Sequence, residues 1–181
     1  MFWCILGERK SGKSVFVENR VKKTDNKALY IATLPELKMY KEIINAHQKR
    51  RPSSWECVEL LEMSAEEILT YPYQKYQNVI LDNLSYYALF QLCYNKEEFI
   101  KKCDERVLAL IDRIAADSAT TLYFIDTPIN QDMFEHEDKN GVIRQLFARI
   151  LDKAGVIERF YSGGTVCRLT VEEGKKYLFR T

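Results

Sequence analysis

Gly7-Glu8-Arg9-Lys10-Ser11-Gly12-Lys13-Ser14 follows the apolar run Phe2 to Leu6 and leads into a stretch with helical spacing, Lys13 to Lys22. A glycine-rich turn from a buried strand into a helix points backbone N–H groups outward at the positive end of the helix dipole, where an anion is held. The spacing divides the work. Gly7 and Gly12 let amides approach phosphate oxygens, Lys13 supplies a point charge to the β and γ groups, and Ser14 offers its hydroxyl to Mg²⁺. Glu8, Arg9, Lys10 and Ser11 complete the loop around the phosphates. The octapeptide therefore predicts a phosphate-cradling P-loop and a nucleoside triphosphate, GTP or ATP, as its ligand.

On either side of this loop, short apolar runs alternate with longer amphipathic stretches, the grammar of βαβ units. Ala28 to Ala32 reads as the second strand. From Pro35 to about Lys49 the offsets of Leu37, Tyr40, Ile43 and Ile44 share one helical face, and Arg51-Pro52-Ser53-Ser54 ends the helix as a loop. Cys57 to Leu61 is a short strand with imperfect alternation. Asn78-Val79-Ile80-Leu81-Asp82 and Thr121-Leu122-Tyr123-Phe124-Ile125-Asp126 are apolar throughout and end in a carboxylate, as central parallel strands do. Between them, Tyr86 to Cys93 and Glu97 to Ala116 carry helical periodicity, the latter through Phe99, Val107, Leu110, Ile111 and Ile114.

The polar segment Thr127 to Gly141 reads as a loop, a candidate lid, in which His136 is a solvated residue. Val142 to Lys153 resumes a helix. Val156 to Tyr161 and Val166 to Val171 flank Ser162-Gly163-Gly164-Thr165, a hairpin signal that gives the sheet an antiparallel C-terminal edge. The tail from Glu172 to Thr181 reads as a solvated end, basic through Lys175, Lys176 and Arg180. The expected fold is α/β, a P-loop NTPase-type three-layer sandwich with a mostly parallel sheet, formed by residues 1–181 as one domain.

Composition narrows the function. With 181 residues, 46% of them hydrophobic and 12% aromatic, the chain is long enough for one buried core. Lys and Arg number 27 against 26 acidic residues, so no global field favours nucleic acid or an anionic membrane, and phosphate binding has to be local. No apolar run reaches the roughly 20 residues that span a bilayer, and Met1 to Leu6 reads as a buried strand rather than a signal peptide. The five cysteines are scattered without metal-ligand spacing, which argues against zinc and for reduced packing thiols in a cytoplasmic protein.

A P-loop site also needs a carboxylate at a neighbouring strand end for its metal. Asp82 and Asp126 both qualify by position, although any βα turn favours Asp as a helix cap. Asp82 is preferred, so Ser14 and Asp82 form the expected Mg²⁺ pair. His47 lies just before Gln48-Lys49-Arg50-Arg51. Cations beside an imidazole favour its neutral form, and a neutral imidazole nitrogen is able to attack an α-phosphorus while Lys and Arg stabilise the leaving pyrophosphate. The plainer reading is that these residues complement the C-terminal dipole of their helix and face solvent.

Linked motifs resemble the bifunctional adenosylcobinamide kinase and adenosylcobinamide-phosphate guanylyltransferase family of cobalamin biosynthesis. Gly7 to Ser14 followed by Glu18 is similar to the family's first motif, with Lys10 where an arginine is usual. Tyr30-Ile31-Ala32-Thr33 looks like its second strand and turn. His47, followed by Arg51-Pro52, Trp55 and Glu59, resembles the segment that holds the family's guanylylated histidine. Asp82, ahead of Leu84 and Ser85, resembles the acidic strand end.

The resemblance implies His47 and Lys13 as catalytic residues. It implies guanine-nucleotide contacts from Ala32, Thr33 and Leu34, from Gln48, Lys49, Arg50 and Arg51, and from Glu59 and Asp82. It further implies a corrinoid substrate and a homotrimer. It thins beyond the first 90 residues: Phe90 stands where asparagine is common, Asp126-Thr127-Pro128-Ile129 replaces Asn-Glu-Val-Gly, and Ala148 and Arg149 lie near the place of an Asn-Gln pair. Two alternatives stay open, a P-loop kinase of another small molecule and a catalytically impaired nucleotide-binding paralogue.

Overall fold

The central strands are apolar at nearly every position because both of their faces are covered, and their side chains divide by parity between two cores. In β1 (Phe2–Gly7), Phe2, Cys4 and Leu6 enter one core while Trp3 and Ile5 enter the other. The same parity sorts β2 (Ala28–Ala32), β4 (Asn78–Asp82) and β5 (Thr121–Asp126). Leu29, Val79, Leu122 and Phe124 lie on the first side, and Tyr30, Ile80, Tyr123 and Ile125 on the second.

The computed structural model describes residues 1–24, 27–34, 37–95, 97–99, 104–129 and 141–179. Its seven-stranded sheet has the order β3-β2-β4-β5-β1-β6-β7, with β3 (Glu56–Glu59) at one edge and the hairpin of β6 (Val156–Phe160) and β7 (Val166–Leu169) at the other. Every neighbouring pair is parallel except β6 with β7. The first core is covered by α3 (Ala65–Thr70), α4 (Leu84–Tyr94), α5 (Ala109–Ala115), α6 (Val142–Lys153) and α7 (Val171–Phe179). The second is covered by α1 (Lys13–Thr24) through Val17 and Val21, with Trp55 from the loop ahead of β3. The α/β architecture with an antiparallel C-terminal edge is therefore as expected.

Helix α6 shows how pattern becomes packing. Ile143, Leu146, Phe147, Ile150 and Leu151 repeat at three and four residues and are all buried, with Phe147 edge-on to Phe124 at 5.9 Å between ring centroids. Truncating such an aromatic to alanine costs about 3–5 kcal/mol.

The structure departs from the sequence expectations in five places. The segment after β7 is the helix α7 rather than a solvated tail, and Leu178 and Phe179 are buried in the first core. Strand β7 stops at Leu169 because Thr170 caps this helix: its hydroxyl accepts from Glu173 N, and the Glu173 carboxylate accepts from Thr170 N at 2.8 Å. A second capping box, Ser64 with Glu67, starts the unexpected helix α3.

Third, α2 (Lys41–Arg50) buries none of its residues, preceded by a 3₁₀ turn at Lys38–Tyr40, so the apolar face of Leu37, Ile43 and Ile44 is not core. Fourth, of the four described cysteines only Cys4 is buried, and Cys57 and Cys93 are exposed. Fifth, the Glu97 to Ala116 helix is broken by a π turn at Asp104–Leu108. The lid expected over Thr127 to Gly141, with His136, lies largely outside the described residues, as do Cys103 and Arg180.

Candidate functional site

Parallel strands bring their C-terminal ends to one edge of the sheet, and the register makes that edge the site. Leu6 of β1 pairs with Asp126, and Ala32 of β2 pairs with Asp82. The loop from Gly7 to Ser14 thus rises beside two carboxylates. Gly12 has φ +98° and Lys10 φ 58°, so the turn runs through left-handed backbone twice. At Gly7 the reason for glycine differs from the one its motif suggests: an added Cβ would lie 2.8 Å from the backbone oxygen of Phe160 in β6.

Lys13 is buried, and its ammonium donates to the Glu8 carbonyl at 3.2 Å. Burial lowers its pKa from the ordinary lysine value against the opposing pull of Asp82, Asp126 and Glu8. Glu8 in turn receives Tyr177 Oη of α7 at 3.3 Å, a tie between the phosphate loop and the last helix.

His47, on the last turns of α2, faces this loop across the edge of the sheet. Its Nδ1 is 3.2 Å from Arg50 Nη2, 3.4 Å from Tyr30 Oη, 3.7 Å from Glu18 Oε1 and 3.9 Å from Asp82 Oδ2. Tyr30 donates to Asp82 Oδ2 at 2.5 Å, and the Arg51 guanidinium lies over its ring, 3.3 Å from the centroid. Burial, with the Asp82 carboxylate beside it, pushes the Tyr30 hydroxyl well above the ordinary tyrosine pKa. Burial also works to raise Glu18, yet hydrogen bonds with His47 and Arg50 outweigh it and hold that carboxyl below its usual value.

The two strand-end carboxylates, which end strands of similar pattern, differ in place. Asp126 is wholly enclosed and accepts from Ser85 N at 3.1 Å, from Thr127 N at 2.8 Å and from Ser85 Oγ, so it anchors the N-terminus of α4. Burial raises its pKa to about 7 in spite of those donors and Lys13. Asp82 lines the open cavity instead. Its backbone oxygen accepts from Thr33 Oγ1 at 2.6 Å, which fixes the strand end.

One cavity of about 350 Å³ joins these parts. From the loop it is lined by Arg9, Lys10, Gly12, Lys13 and Ser14, and from the end of β2 by Ala32, Thr33 and Leu34. Across from them stand His47, Gln48, Arg50 and Arg51, with Glu59 and Asp82 from β3 and β4. Gly7, Glu8, Ser11 and Lys49 do not line it; Gly7 and Ser11 are buried, and Lys49 is exposed.

Tyr30, Asn83, Tyr86 and Thr127 line the cavity without having been singled out as site residues. Tyr30 carried a signal in its parity, since it alternates with Leu29 and Ile31 on the face that α1 covers. Asn83 carried one only in its backbone, φ 70°, which asparagine tolerates better than most residues. Among the described residues no group of three or more His, Cys, Asp or Glu side chains is placed to hold a metal, and no helix is long and apolar enough to cross a membrane.

A parallel sheet, a glycine loop with a buried lysine at its strand ends and a helix facing that loop define a P-loop nucleotide-binding protein. The sequence profile of the CobU family, cobinamide kinase / cobinamide phosphate guanyltransferase, matches residues 3–156, and the chain belongs to that family. No curated protein matches the chain. Among solved structures, one described as a prototypical ATPase from the type III secretion system of pathogenic bacteria aligns with 13% identity and a TM-score of 0.48. That alignment covers 87% of this chain and 50% of the ATPase, so the chain spans about half its length.

Proposed function

We propose that this chain carries out both reactions of its family's description on a corrinoid of the adenosylcobinamide type: phosphorylation of its hydroxyl from a nucleoside triphosphate, then transfer of GMP to the new phosphate through His47. The observation that carries this reading is that His47 and the P-loop line one cavity. A triphosphate gripped by the loop would extend across that cavity toward the imidazole.

In the first reaction Lys13 turns from the Glu8 carbonyl to the γ-phosphate, which passes to the substrate hydroxyl as the bond to the β-phosphate oxygen breaks. In the second, an imidazole nitrogen attacks the α-phosphorus of GTP, a P–N bond forms, and pyrophosphate leaves with the electrons of the broken P–O bond. The substrate phosphate oxygen then attacks the same phosphorus and releases the imidazole. Arg50 and Arg51 offset the charge on the leaving group.

Hard oxygen donors suit Mg²⁺, which keeps most of its waters and takes one or two protein ligands beside the phosphates. Ser14 and Asp82 meet that need, both at the cavity wall, and the ion bound there would neutralise phosphate charge.

The test mixes the protein with adenosylcobinamide and either ATP or GTP labelled at the γ-phosphate, and separates the corrinoid products. Label on the corrinoid, followed with GTP by a GMP-bearing corrinoid, is the expected result. A corrinoid that neither binds nor takes up label would instead favour a kinase of another small molecule, and tight GTP binding without turnover would favour a nucleotide-binding paralogue.

A further inference from the structure

Among the described helices, α4 is the one without a charged side chain: it reads Leu-Ser-Tyr-Tyr-Ala-Leu-Phe-Gln-Leu-Cys-Tyr from Leu84 to Tyr94. A helix that is apolar on every side is ordinarily buried on every side. This one is not. Leu84, Ser85, Tyr87, Ala88 and Leu92 are buried, while Tyr86 and Phe90 are half-buried and Tyr94 is 68% exposed. These three aromatics stand four residues apart and so follow one another up one face. Phe90 and Tyr94 lie with ring centroids 4.6 Å apart. A rise of about 1.5 Å per residue makes the stripe about 12 Å long.

The stripe begins inside the cavity. Tyr86 lines it together with Ile43 and Arg9, and the Arg9 guanidinium is 5.9 Å from the Tyr86 ring centroid. Tyr40 meets the same ring edge-on at 5.7 Å. The next two turns of α4 carry Phe90 and Tyr94 out of the cavity, which neither of them lines. At about 350 Å³ that cavity is at the small end of pockets that enclose one small ligand, roughly 300–1,000 Å³. It has no room for a nucleotide and a macrocycle together. An acceptor that delivers its hydroxyl or phosphate to the loop therefore leaves its bulk outside.

We propose that Tyr86, Phe90 and Tyr94 form the platform on which the macrocycle of the corrinoid acceptor lies while its hydroxyl, and later its phosphate, reaches the P-loop. The assignment rests on the corrinoid reading of the proposed function, but its test has a readout that needs no catalysis. A corrin ring carries methyl groups and uncharged amide side chains around its rim. Aromatic faces suit the methyls, the Tyr86 and Tyr94 hydroxyls suit the amides, and an uncharged helix leaves no ion to desolvate beneath them. A second copy of the chain is a poorer occupant. A stripe about 12 Å long on a helix about 10 Å wide offers on the order of 100 Å², against roughly 800 Å² per partner in a stable interface.

Equilibrium dialysis of adenosylcobinamide against the parent and a Phe90→Ser, Tyr94→Ser double variant tests the platform, since neither residue lines the nucleotide cavity. The double variant should bind the corrinoid about 10-fold or more weakly, two aromatic contacts being lost at once. Its GTP affinity and its covalent labelling from α-labelled GTP should match the parent. Exchanging the two aromatics, Phe90→Tyr with Tyr94→Phe, should keep corrinoid affinity. Should the double variant not fold, Tyr94→Ser alone decides, because that ring is 68% exposed, and a loss of about 3-fold is expected there. Unchanged corrinoid affinity in a folded variant overturns the inference. A changed sedimentation rate with corrinoid affinity kept overturns it as well and assigns the face to a second copy. A parent that binds no corrinoid overturns both this platform and the proposed function. A parent that binds corrinoid through the stripe, yet neither phosphorylates it nor adds GMP, contradicts the proposed reactions and leaves the platform standing.

Discussion

Arg50 grips Glu18 with two hydrogen bonds, Nε to Oε2 at 3.0 Å and Nη2 to Oε1 at 3.3 Å, and so ties the helix that bears His47 to the helix that follows the P-loop. The tie matters because α2 contributes no buried residue of its own. Lys22 adds one more link, donating to the Arg50 carbonyl at 2.8 Å. Position of the imidazole is therefore held by polar contacts rather than by core packing.

Arg50→Ala should destabilise the fold by about 2 kcal/mol, the usual scale for a hydrogen bond to a charged, buried partner, and should slow covalent labelling of His47 more than it weakens triphosphate binding. The pH dependence has a definite sign. Glu18 is held below its unfolded pKa of about 4.3, so its contribution is present above that pH and is lost as acidification carries the folded carboxyl through its own lower pKa. Urea midpoints measured from pH 6 downward should fall more steeply in the parent than in Arg50→Ala; parallel curves would contradict the pairing.

Asp126 should act in the opposite direction. Its folded pKa, about 7, lies above the unfolded value of about 3.9, so the folded state binds the extra proton between those limits and stability falls as pH rises through them. Asp126→Asn should remove this slope, which amounts to at most about 4 kcal/mol across the window, less whatever the lost contacts to Ser85 and Thr127 cost. Denaturation curves at pH 4, 5.5 and 7 decide it, and a slope that survives in the variant assigns the proton elsewhere.

Gly7→Ala is expected to fail for a structural rather than a ligand-contact reason. The new methyl would meet the Phe160 carbonyl, a backbone atom that cannot turn aside. Overpacking of this kind costs about 1–3 kcal/mol, and the P-loop would shift away from β6. Calorimetric titration with a triphosphate should show weakened binding together with a lowered melting temperature; full affinity in a less stable protein would confine the effect to the strand.

Thr170→Ala removes one half of the capping box that starts α7, for about 1 kcal/mol. Because Leu178 and Phe179 of that helix are buried and Tyr177 reaches Glu8 in the phosphate loop, fraying should be felt at the site. Limited proteolysis is expected to cut within residues 170–179 sooner in the variant, and bound triphosphate to slow the cut. Identical digestion with and without triphosphate would separate the last helix from the loop.

The P-loop and the buried strands were legible in the sequence because each is written locally: parallel strands covered on both faces read as unbroken apolar runs, and the loop's glycines and lysine sit at fixed spacing. The last helix was equally legible, since Thr170-Val171-Glu172-Glu173 spells a capping box, yet the apolar Val166 to Val171 invited an extended strand. Asp82 and Asp126 end alike patterned strands, and only the packing of Ser85 over one of them tells a walled-in anchor from a cavity wall. The surroundings of His47 were least legible. Glu18, Tyr30, Arg50 and Asp82 come from four elements, and their convergence is a product of strand order. The apolar stripe of α2 follows the same lesson, because periodicity gives a face but not what that face meets.

The central claim is that a triphosphate held by the loop presents its α-phosphorus to His47. It is tested most directly by incubating the protein with GTP labelled at the α-phosphate and denaturing it. Protein-bound label that is acid-labile and alkali-stable, and that is absent from His47→Ala while Lys13→Ala loses it through failed binding, is the result expected. Label that persists in His47→Ala, or a parent protein that binds GTP and takes none, would contradict it.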